Sequence, residues 1–335
     1  MDIFARSFSC PDPAENFPVW SAASLRGMQV DPFCCSPVWQ LSFHDAFSPD
    51  RPLFIEECGE SALAFAEIRF SNDDIFLTPL EAHWFFGSPL LGSHAPDMLR
   101  RMMERLALYY APHFPRIMIG GIRPEGAISR DLFRLFAKDF NFYLHSSGVQ
   151  CAASLKGGVD GYLARRSANH RAKLRKARRR AMDKGLYFER ACPRTYAQAD
   201  ELFARMLAVE RTSWKGIGRC GMAEDIVKDF YAVLLRRLAL HGDGRVIFAR
   251  YENADVGFIF GAMAGRVYRG QQFSFDDNWR AFCVGNILQL EQVAWLCEEG
   301  AERYDMGPLK GPRMGYKEHW TEMAEPIVTL LLQRK

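Results

Sequence analysis

The chain has 335 residues, of which 48% are hydrophobic and 25% are charged, a balance that is typical of globular proteins and excludes a largely disordered chain. No apolar run is long enough for a membrane-spanning helix, and the first residues do not resemble a secretory signal, so the sequence predicts a soluble, cytoplasmic protein. Nine scattered cysteines without a C-x-x-C pair, and eight histidines without metal-site spacing, predict free thiols and no bound metal.

The predicted elements become clear only after residue 50. The prolines before that point are expected to interrupt any long element, and they are Pro11, Pro13, Pro18, Pro32, Pro37 and Pro49. From Phe54 to Ile117 the pattern predicts a strand, a turn at Gly59, two further strands, a helix and a buried strand. The helix is indicated by apolar residues at helical spacing, which are Leu99, Met102, Met103, Leu106 and Tyr110.

Two helices precede the second group of strands. Thr195 and Gln198 form a T-x-x-Q capping box that is expected to start the first helix. The second helix is expected to end at Gly242, and Gly300 is expected to follow the last long helix, because glycine adopts the left-handed conformation common after helices.

The same order of elements then returns. From Phe248 to Tyr304 the pattern again predicts strand, turn, strand, strand, helix and strand. This repetition predicts an α+β protein of two similar halves, residues 1–155 and 156–335, each a mixed sheet with helices. A final strand at 325–333 is expected to complete the second sheet.

The net charge of +3 is unevenly distributed along the chain. Ten Lys or Arg and a single acid, Asp183, lie between Arg165 and Lys184. Such a stripe is typical of a solvated helix face or of a surface that binds anions. The anions that would fit are donor phosphates, an anionic acceptor or RNA.

Several segments of the C-terminal half carry a family likeness. They are R-x-K-L-R-K-A-R-R-R (171–180), ERTSWKG (210–216), VGFIFGAMAGRVYRGQQFSFDDNW (256–279), the loop with Gly285-Asn286, and YDMGP followed by YKEHW. From roughly Gly161 to its end, the chain resembles GNAT acetyltransferases of the CelD/BcsL type, which are related to the Fem-type aminoacyl transferases.

The resemblance implies tandem GNAT-like domains, with a non-catalytic N-terminal half and a C-terminal acyltransferase that moves an acyl group from acetyl-CoA or another acyl-CoA to an amine. The chain departs from the family at the pyrophosphate loop, where Q/R-x-x-G-x-G/A becomes Arg280 to Asn286 with one glycine. A Fem-like transferase that uses aminoacyl-tRNA and a catalytically inactive GNAT-like binding protein are therefore the alternatives.

Candidates for proton transfer and substrate binding follow the first long helix. Glu210 shares the apolar helix face of Phe203 and Met206, so its carboxylate is expected to be partly buried and to act as a base. A surface ion pair is the alternative. Trp214 and Lys215 are expected to line a substrate pocket, although Trp214 could equally anchor its loop on the core.

A second set of candidates lies on the strand at 270–276. Strand alternation places Phe273 and Phe275 on one face and Gln272, Ser274 and Asp276 on the other. Three polar side chains in line suggest a cleft, with Gln272 and Ser274 contacting substrate and Asp276 as a second candidate base. An edge strand with a wetted face is the alternative.

The helix that begins near Asn286 is the expected donor site. Its first turn offers unpaired N–H groups to a pyrophosphate, and Gly285 would let the phosphate approach the backbone. A plain strand-to-helix turn is the alternative. The resemblance implies that Phe275, Val284, Gly285 and Asn286 bind the acyl-CoA.

Three residues near the end of the chain complete the predicted site. Asp305 ends a strand that should border the cleft and is expected to contact substrate. The resemblance implies that Tyr316 protonates the leaving thiolate and that Lys317 contacts donor phosphates. The acceptor is expected to be a small-molecule amine or a peptide, and a sugar amine, an amino acid, a polyamine and a protein lysine all fit.

Overall fold

The computed structural model describes residues 11–26, 29–309 and 312–335, and the chain divides into two compact units. The first unit comprises Met1–Gln150 and Glu325–Lys335, and the second comprises Cys151–Ala324. Both contain the predicted order of antiparallel strands, a helix and a parallel strand. Among the described helices, none is long and apolar enough to cross a bilayer.

The first unit begins with three short helices rather than with an irregular segment. Prolines occupy the first helical position of each, where a missing N–H has no cost, so these residues start helices instead of interrupting them. The helices of this unit are α1 (Pro13–Asn16), α2 (Pro18–Leu25), α3 (Pro37–Phe47), α4 (Ala95–Tyr109) and α5 (Ala127–Phe136).

The sheet of the first unit has the order β1-β2-β3-β5-β12-β6, and β4 pairs with β2. Its strands are β1 (Leu53–Cys58), β2 (Ser61–Arg69), β3 (Ile75–Thr78), β4 (Leu90–Leu91), β5 (Arg116–Ile122), β6 (Phe140–Ser154) and β12 (Met323–Arg334). The predicted helix α4 buries its apolar stripe against this sheet.

The final strand corrects one prediction. β12 pairs antiparallel with β5, so that Val328 faces Ile122 and Leu332 faces Ile117, and it therefore belongs to the first unit's sheet instead of completing the second. The side chains of Leu330 and Leu332 enter the first unit's core, and Val328, on the same face of the strand, packs against it.

In the first unit the space beside β3 and β5 is filled by the chain itself. The parallel strands β3 and β5 share two register pairs. The segment after β3 passes over β5 near Gly87. A Cβ on Gly121 would lie 2.6 Å from the carbonyl carbon of Gly87, so main chain packs on main chain there. Buried Glu81 holds this segment by accepting the backbone N–H groups of His83, Trp84, Phe85 and Phe86.

The helices of the second unit are α6 (Gly158–Ala164), α7 (Ala168–Asp183), α8 (Tyr196–Thr212), α9 (Trp214–Ile217), α10 (Asp225–His241) and α11 (Val284–Glu298). Two 3-10 helices cover Asp277–Phe282 and Pro312–His319. The predicted ends are confirmed, because the Thr195 side chain accepts the Gln198 N–H, and Gly242 and Gly300 have φ of +64° and +73°.

The sheet of the second unit has the order β7-β8-β9-β10-β11, and the end of β6 pairs beside β11. Its strands are β7 (Leu186–Ala191), β8 (Gly244–Tyr251), β9 (Ala254–Ala264), β10 (Val267–Phe275) and β11 (Arg303–Pro308). Neighbours from β7 to β10 are antiparallel, whereas β10 and β11 are parallel. This mixed sheet with helices is the predicted α+β architecture.

Candidate active site

Strands β10 and β11 pair over a short distance and then separate. Their three register pairs run from Val267–Arg303 to Arg269–Asp305, although β10 continues to Phe275. A β-bulge between Gly270 and Gln272 interrupts β10 just past the last pair. Beyond the bulge, β10 therefore has a stretch of backbone that can bind a partner other than β11.

A buried charge cluster occupies the point where the two strands separate. Asp305 is 0% exposed, lies 2.6 Å from Arg303 and 3.8 Å from Arg269, and accepts the Gly307 N–H at 2.8 Å. The Arg269 guanidinium lies against Gly307, whose φ is +76°. Asp305 thus balances buried Arg269 and partly buried Arg303, which is a structural role, and its contact with substrate stays a prediction.

Lys317 joins this cluster instead of facing outward. Its ammonium donates to the Pro308 carbonyl at 2.7 Å, and the residue is 6% exposed. Burial, and secondly the nearby Arg269, lower the pKa of the Lys317 ammonium to about 8. The Lys317 ammonium therefore does not lie at the surface, where donor phosphates were expected to contact it.

Lys317 should make the stability of the protein depend on pH. The pKa of Lys317 in the folded state, about 8, lies below the ordinary value of 10.5, so the folded protein binds this proton less tightly than the unfolded chain does. Below pH 8 the buried charge lowers the free energy of unfolding, and this loss disappears as the pH rises from 8 to 10.5. We expect the free energy of unfolding, relative to Lys317→Met, to rise by up to about 3 kcal/mol across this window. Denaturant unfolding of both proteins measures the difference, and parallel pH curves would contradict the burial of this charge.

Tyr316 packs against a residue of β10. Its ring centroid is 5.7 Å from that of Phe273 on β10, in an edge-to-face arrangement. Burial raises the pKa of the Tyr316 phenol to about 12, so the hydroxyl keeps its proton at neutral pH. A protonated phenol beside β10 can serve as a general acid.

Lys215 contacts the separated part of β10. Its ammonium donates to the Gln272 Oε1 and to the Phe273 carbonyl, both at 2.9 Å. Burial lowers the pKa of Lys215, and the nearby Glu210 opposes that shift. An ammonium has three N–H donors, so the third can still meet an oxygen that approaches β10.

Glu210 lies at the end of α8, close to this lysine. It is 0% exposed, its Oε1 accepts the Met222 N–H at 3.0 Å, and its Oε2 has no partner among the described residues. An unpaired carboxylate oxygen in the interior is costly unless it serves a reaction or binds water. Next to it, Trp214 is exposed in the short helix α9.

The three polar residues predicted to line one face of this strand have different surroundings, and Asp276 lies just past the end of β10. Gln272 Nε2 donates to the Tyr231 hydroxyl at 2.9 Å. Ser274 is buried, and its Oγ has no partner among the described residues. Asp276 accepts the Asn278 N–H at 2.9 Å and so caps the first 3-10 helix. Gln272 and Ser274 therefore face the interior, whereas Asp276 already has a structural task.

Helix α11 begins where the family pyrophosphate loop would be. Cys283 occupies the first glycine position of the pattern and adopts φ +56°, ψ +40°, which is the left-handed conformation that glycine favours. The Val284 side chain is buried in the core, and Asn286 is exposed. The second glycine of the loop is thus matched by Gly285 and the first by a cysteine with the same backbone geometry.

Aromatic rings cover one side of this helix start. A Cβ on Gly285 would lie 3.0 Å from Phe275 Cε1 and 3.1 Å from Phe273 Cε2. A phosphate could therefore reach the first-turn N–H groups from the side of exposed Cys283 and Asn286.

The basic helix α7 packs beside this helix start. Arg180 donates to the Ala281 carbonyl, and its guanidinium lies 5.0 Å from the Phe282 ring. The other cations on the exposed face form no ion pair with a described residue, and they are Lys173, Arg175, Lys176, Arg178 and Arg179. By contrast, ion pairs are made elsewhere in this unit by Arg190, Arg205, Arg236, Arg245 and Arg250.

Sequence reasoning missed several residues of the site. Arg269 was not identified, although an arginine between strand residues of a buried sheet signals an internal ion pair. Cys283 was not recognised as a glycine substitute, and its place three residues after Arg280 was the available signal. Within the described ranges, no group of three or more His, Cys, Asp or Glu could hold a metal ion.

Comparison with known proteins agrees with this geometry. Residues 168–318 match the profile of the family described as "Acetyltransferase (GNAT) domain". No curated protein sequence matches the chain. The matched region extends from the start of α7 into the second 3-10 helix, and it includes the separating strands and the start of α11.

Solved structures similar to this chain include FemX, at 10% identity and a TM-score of 0.66, with 97% of this chain and 96% of that one covered. A conserved protein of unknown function from Bacteroides thetaiotaomicron VPI-5482 has 10% identity and a TM-score of 0.64 over 99% and 100%. L-PGS from Bacillus licheniformis has 14% identity and a TM-score of 0.57 over 88% and 87%. At these identities the likeness concerns the fold, which is the GNAT fold predicted from the sequence.

Proposed function

We propose that the second unit is an N-acyltransferase that moves an acyl group from acetyl-CoA, or another acyl-CoA, directly to an amine. The observation that carries the proposal is the separation of β10 from β11 beyond Arg269, with the Lys215 ammonium 2.9 Å from the Phe273 carbonyl and the Tyr316 ring against the Phe273 ring. The match of residues 168–318 to a GNAT acetyltransferase domain supports it.

The reaction needs a base, an oxyanion donor and an acid. The amine nitrogen attacks the thioester carbon and loses a proton, the carbonyl oxygen becomes an oxyanion, and the carbon–sulfur bond then breaks to leave a thiolate. Lys215 donates its third N–H to the oxyanion, and Tyr316 gives its proton to the thiolate. The products are the amide and free CoA, with no covalent enzyme intermediate.

Glu210 is the proton acceptor in this proposal, through a bridging water. Its Oε2 has no protein partner among the described residues, whereas the Asp276 side chain caps a 3-10 helix. The Lys215 ammonium lies near Glu210, where its positive charge attracts the carboxylate.

The donor phosphates bind at the start of α11 and on the adjoining end of α7. The first-turn N–H groups and the helix dipole favour an anion there, and Arg180 reaches the same loop through Ala281. Gly285 and Asn286 contribute backbone and side-chain groups to this site. Resemblance to the CelD/BcsL type is consistent with such a donor.

The first unit supports the catalytic one in this proposal, with the division between domains near residue 155. Its own main chain at Gly87, in the segment that Glu81 anchors, packs on Gly121 of β5, so no thioester arm would fit at that point. The acceptor amine belongs to a small molecule or peptide, and a cytoplasmic location is consistent with the free cysteines.

A second candidate function is a transferase that uses aminoacyl-tRNA as its donor. The observation that favours it is the exposed face of α7, whose cations from Lys173 to Arg179 form no ion pair with a described residue. A long unpaired cationic surface fits a polyanion better than a single nucleotide. A catalytically inactive GNAT-like binding protein would, by contrast, bind donor without turnover.

The triple variant Arg175→Gln, Arg178→Gln and Arg179→Gln separates these functions. We expect wild-type protein to bind acetyl-CoA saturably, with a Kd of about 1 μM to 1 mM, and the triple variant to bind it several-fold more weakly because donor phosphates lose favourable charge. Calorimetric titration at two salt concentrations measures both.

The matched control replaces three exposed arginines of the first unit, Arg101, Arg130 and Arg134, with Gln, and should leave acetyl-CoA affinity unchanged. Absence of heat with acetyl-CoA, together with salt-sensitive tRNA binding that the α7 variant loses, would instead establish the tRNA-dependent function. Tight donor binding without acyl transfer to any tested amine would favour the inactive binding protein.

A further inference from the structure

The first unit contains a pocket that the acyltransferase reaction does not use. Its volume is about 260 Å³, close to the lower end of the range for small-molecule sites. Three aliphatic side chains line one part of it, those of Leu90, Ile122 and Ile128. This lining suits a short branched hydrocarbon group.

The start of a helix in the pocket wall favours negative charge. Helix α5 begins there after Gly126, which has an extended backbone and offers no capping side chain. The hydroxyl of Ser129, the third residue of α5, donates to the Arg123 carbonyl and so does not cap the helix either. The first-turn N–H groups therefore meet the pocket without a side-chain acceptor.

Gln29 independently indicates that the pocket binds a ligand. It lines the pocket, is 5% exposed, and its Oε1 has no hydrogen-bond partner among the described residues. A buried carbonyl oxygen without a donor is unfavourable, and a ligand N–H or O–H that reached it would remove the penalty.

We propose that this pocket binds a small aliphatic carboxylic acid that carries an amino or hydroxyl group on its α-carbon. The carboxylate meets the N–H groups at the start of α5. The α-substituent donates to Gln29 Oε1, and the hydrocarbon chain lies on Leu90, Ile122 and Ile128. The site is distinct from the separating strands of the second unit and does not depend on acyl transfer.

Three matched ligands test the proposal by calorimetry on the full chain without acyl-CoA. L-leucine, 2-hydroxy-4-methylpentanoate and 4-methylpentanoate share a carbon skeleton and differ only in the group on the α-carbon. We expect 4-methylpentanoate to bind about tenfold more weakly than the better of the other two, because it leaves Gln29 Oε1 unpaired. Which of those two binds more tightly identifies the α-amino or the α-hydroxy acid as the ligand class.

The variant Gln29→Leu should weaken the better ligand about tenfold and leave 4-methylpentanoate unchanged. Ile128→Trp, at the half-buried rim, should fill the pocket and abolish binding of all three while thermal unfolding stays near that of the wild type. Equal affinity for the three acids, no binding of any at millimolar concentration, or full binding to folded Ile128→Trp would overturn the proposal. These outcomes are independent of whether the protein binds acetyl-CoA.

Discussion

Asp305→Ala is expected to lower the free energy of unfolding by about 3–5 kcal/mol, the range observed when one partner of a buried ion pair is removed. The carboxylate is 0% exposed and balances Arg303 at 2.6 Å, with Arg269 at 3.8 Å. Its loss would remove the carboxylate that faces buried Arg269 and partly buried Arg303, and the acceptor of the Gly307 N–H. Urea unfolding monitored by tryptophan fluorescence measures the change.

The control for this substitution is Asp277→Ala. Asp277 pairs with Arg280 at 3.8 Å, but both side chains are largely exposed, so a change of about 0.5 kcal/mol or less is expected. Adding Arg303→Met to Asp305→Ala should restore part of the lost stability, because it removes one of the uncompensated charges. A loss under about 1 kcal/mol for Asp305→Ala would show that water reaches the cluster.

Lys215→Met is expected to reduce kcat/KM for acyl transfer by about 10²–10³, the usual effect of removing one oxyanion donor. The substitution keeps an unbranched chain of similar length but loses the ammonium that lies 2.9 Å from the Phe273 carbonyl and Gln272 Oε1. Burial lowers the pKa of Lys215, which means that its charge is costly in the folded state. Removing the ammonium should therefore change the free energy of unfolding little. Steady-state kinetics with acetyl-CoA and a panel of amines, paired with thermal unfolding, measures both.

Lys156→Met serves as the matched control, because Lys156 is exposed and its substitution should alter neither rate nor stability. Lys215→Arg should stay impaired, since a planar guanidinium does not place its donors as an ammonium does. Retention of activity within about twofold in folded Lys215→Met would remove Lys215 from the reaction, because an oxyanion donor contributes far more than that.

The order of elements was predictable wherever local signals were strong. The apolar stripe of α4, the capping residue Thr195 and the glycines at 242 and 300 each act within one helix turn, and the structure confirms them. Strands β6 and β7 were not predicted, because their burial patterns lack the regular alternation that identifies a half-buried strand.

Features that depend on contacts between distant parts of the chain could not be predicted from the sequence. An apolar strand at the end of the chain fits either of two similar sheets, and only the packing of Leu330 and Leu332 decides for the first unit. Lys317 carries no local mark of burial, because its partner Pro308 and the neighbouring Arg269 are brought to it by the fold. Prolines at helix starts resemble prolines in loops until the following turn is seen.

The position of β12 has a consequence for biosynthesis. It lies between β5 and β6, so the first unit lacks an internal strand until Glu325–Arg334 has left the ribosome. A nascent chain that stalls, or a polypeptide clipped near residue 324, would expose two unpaired strand edges, and such edges recruit other chains. The earliest part of the protein to be translated is therefore among the last to reach its native state.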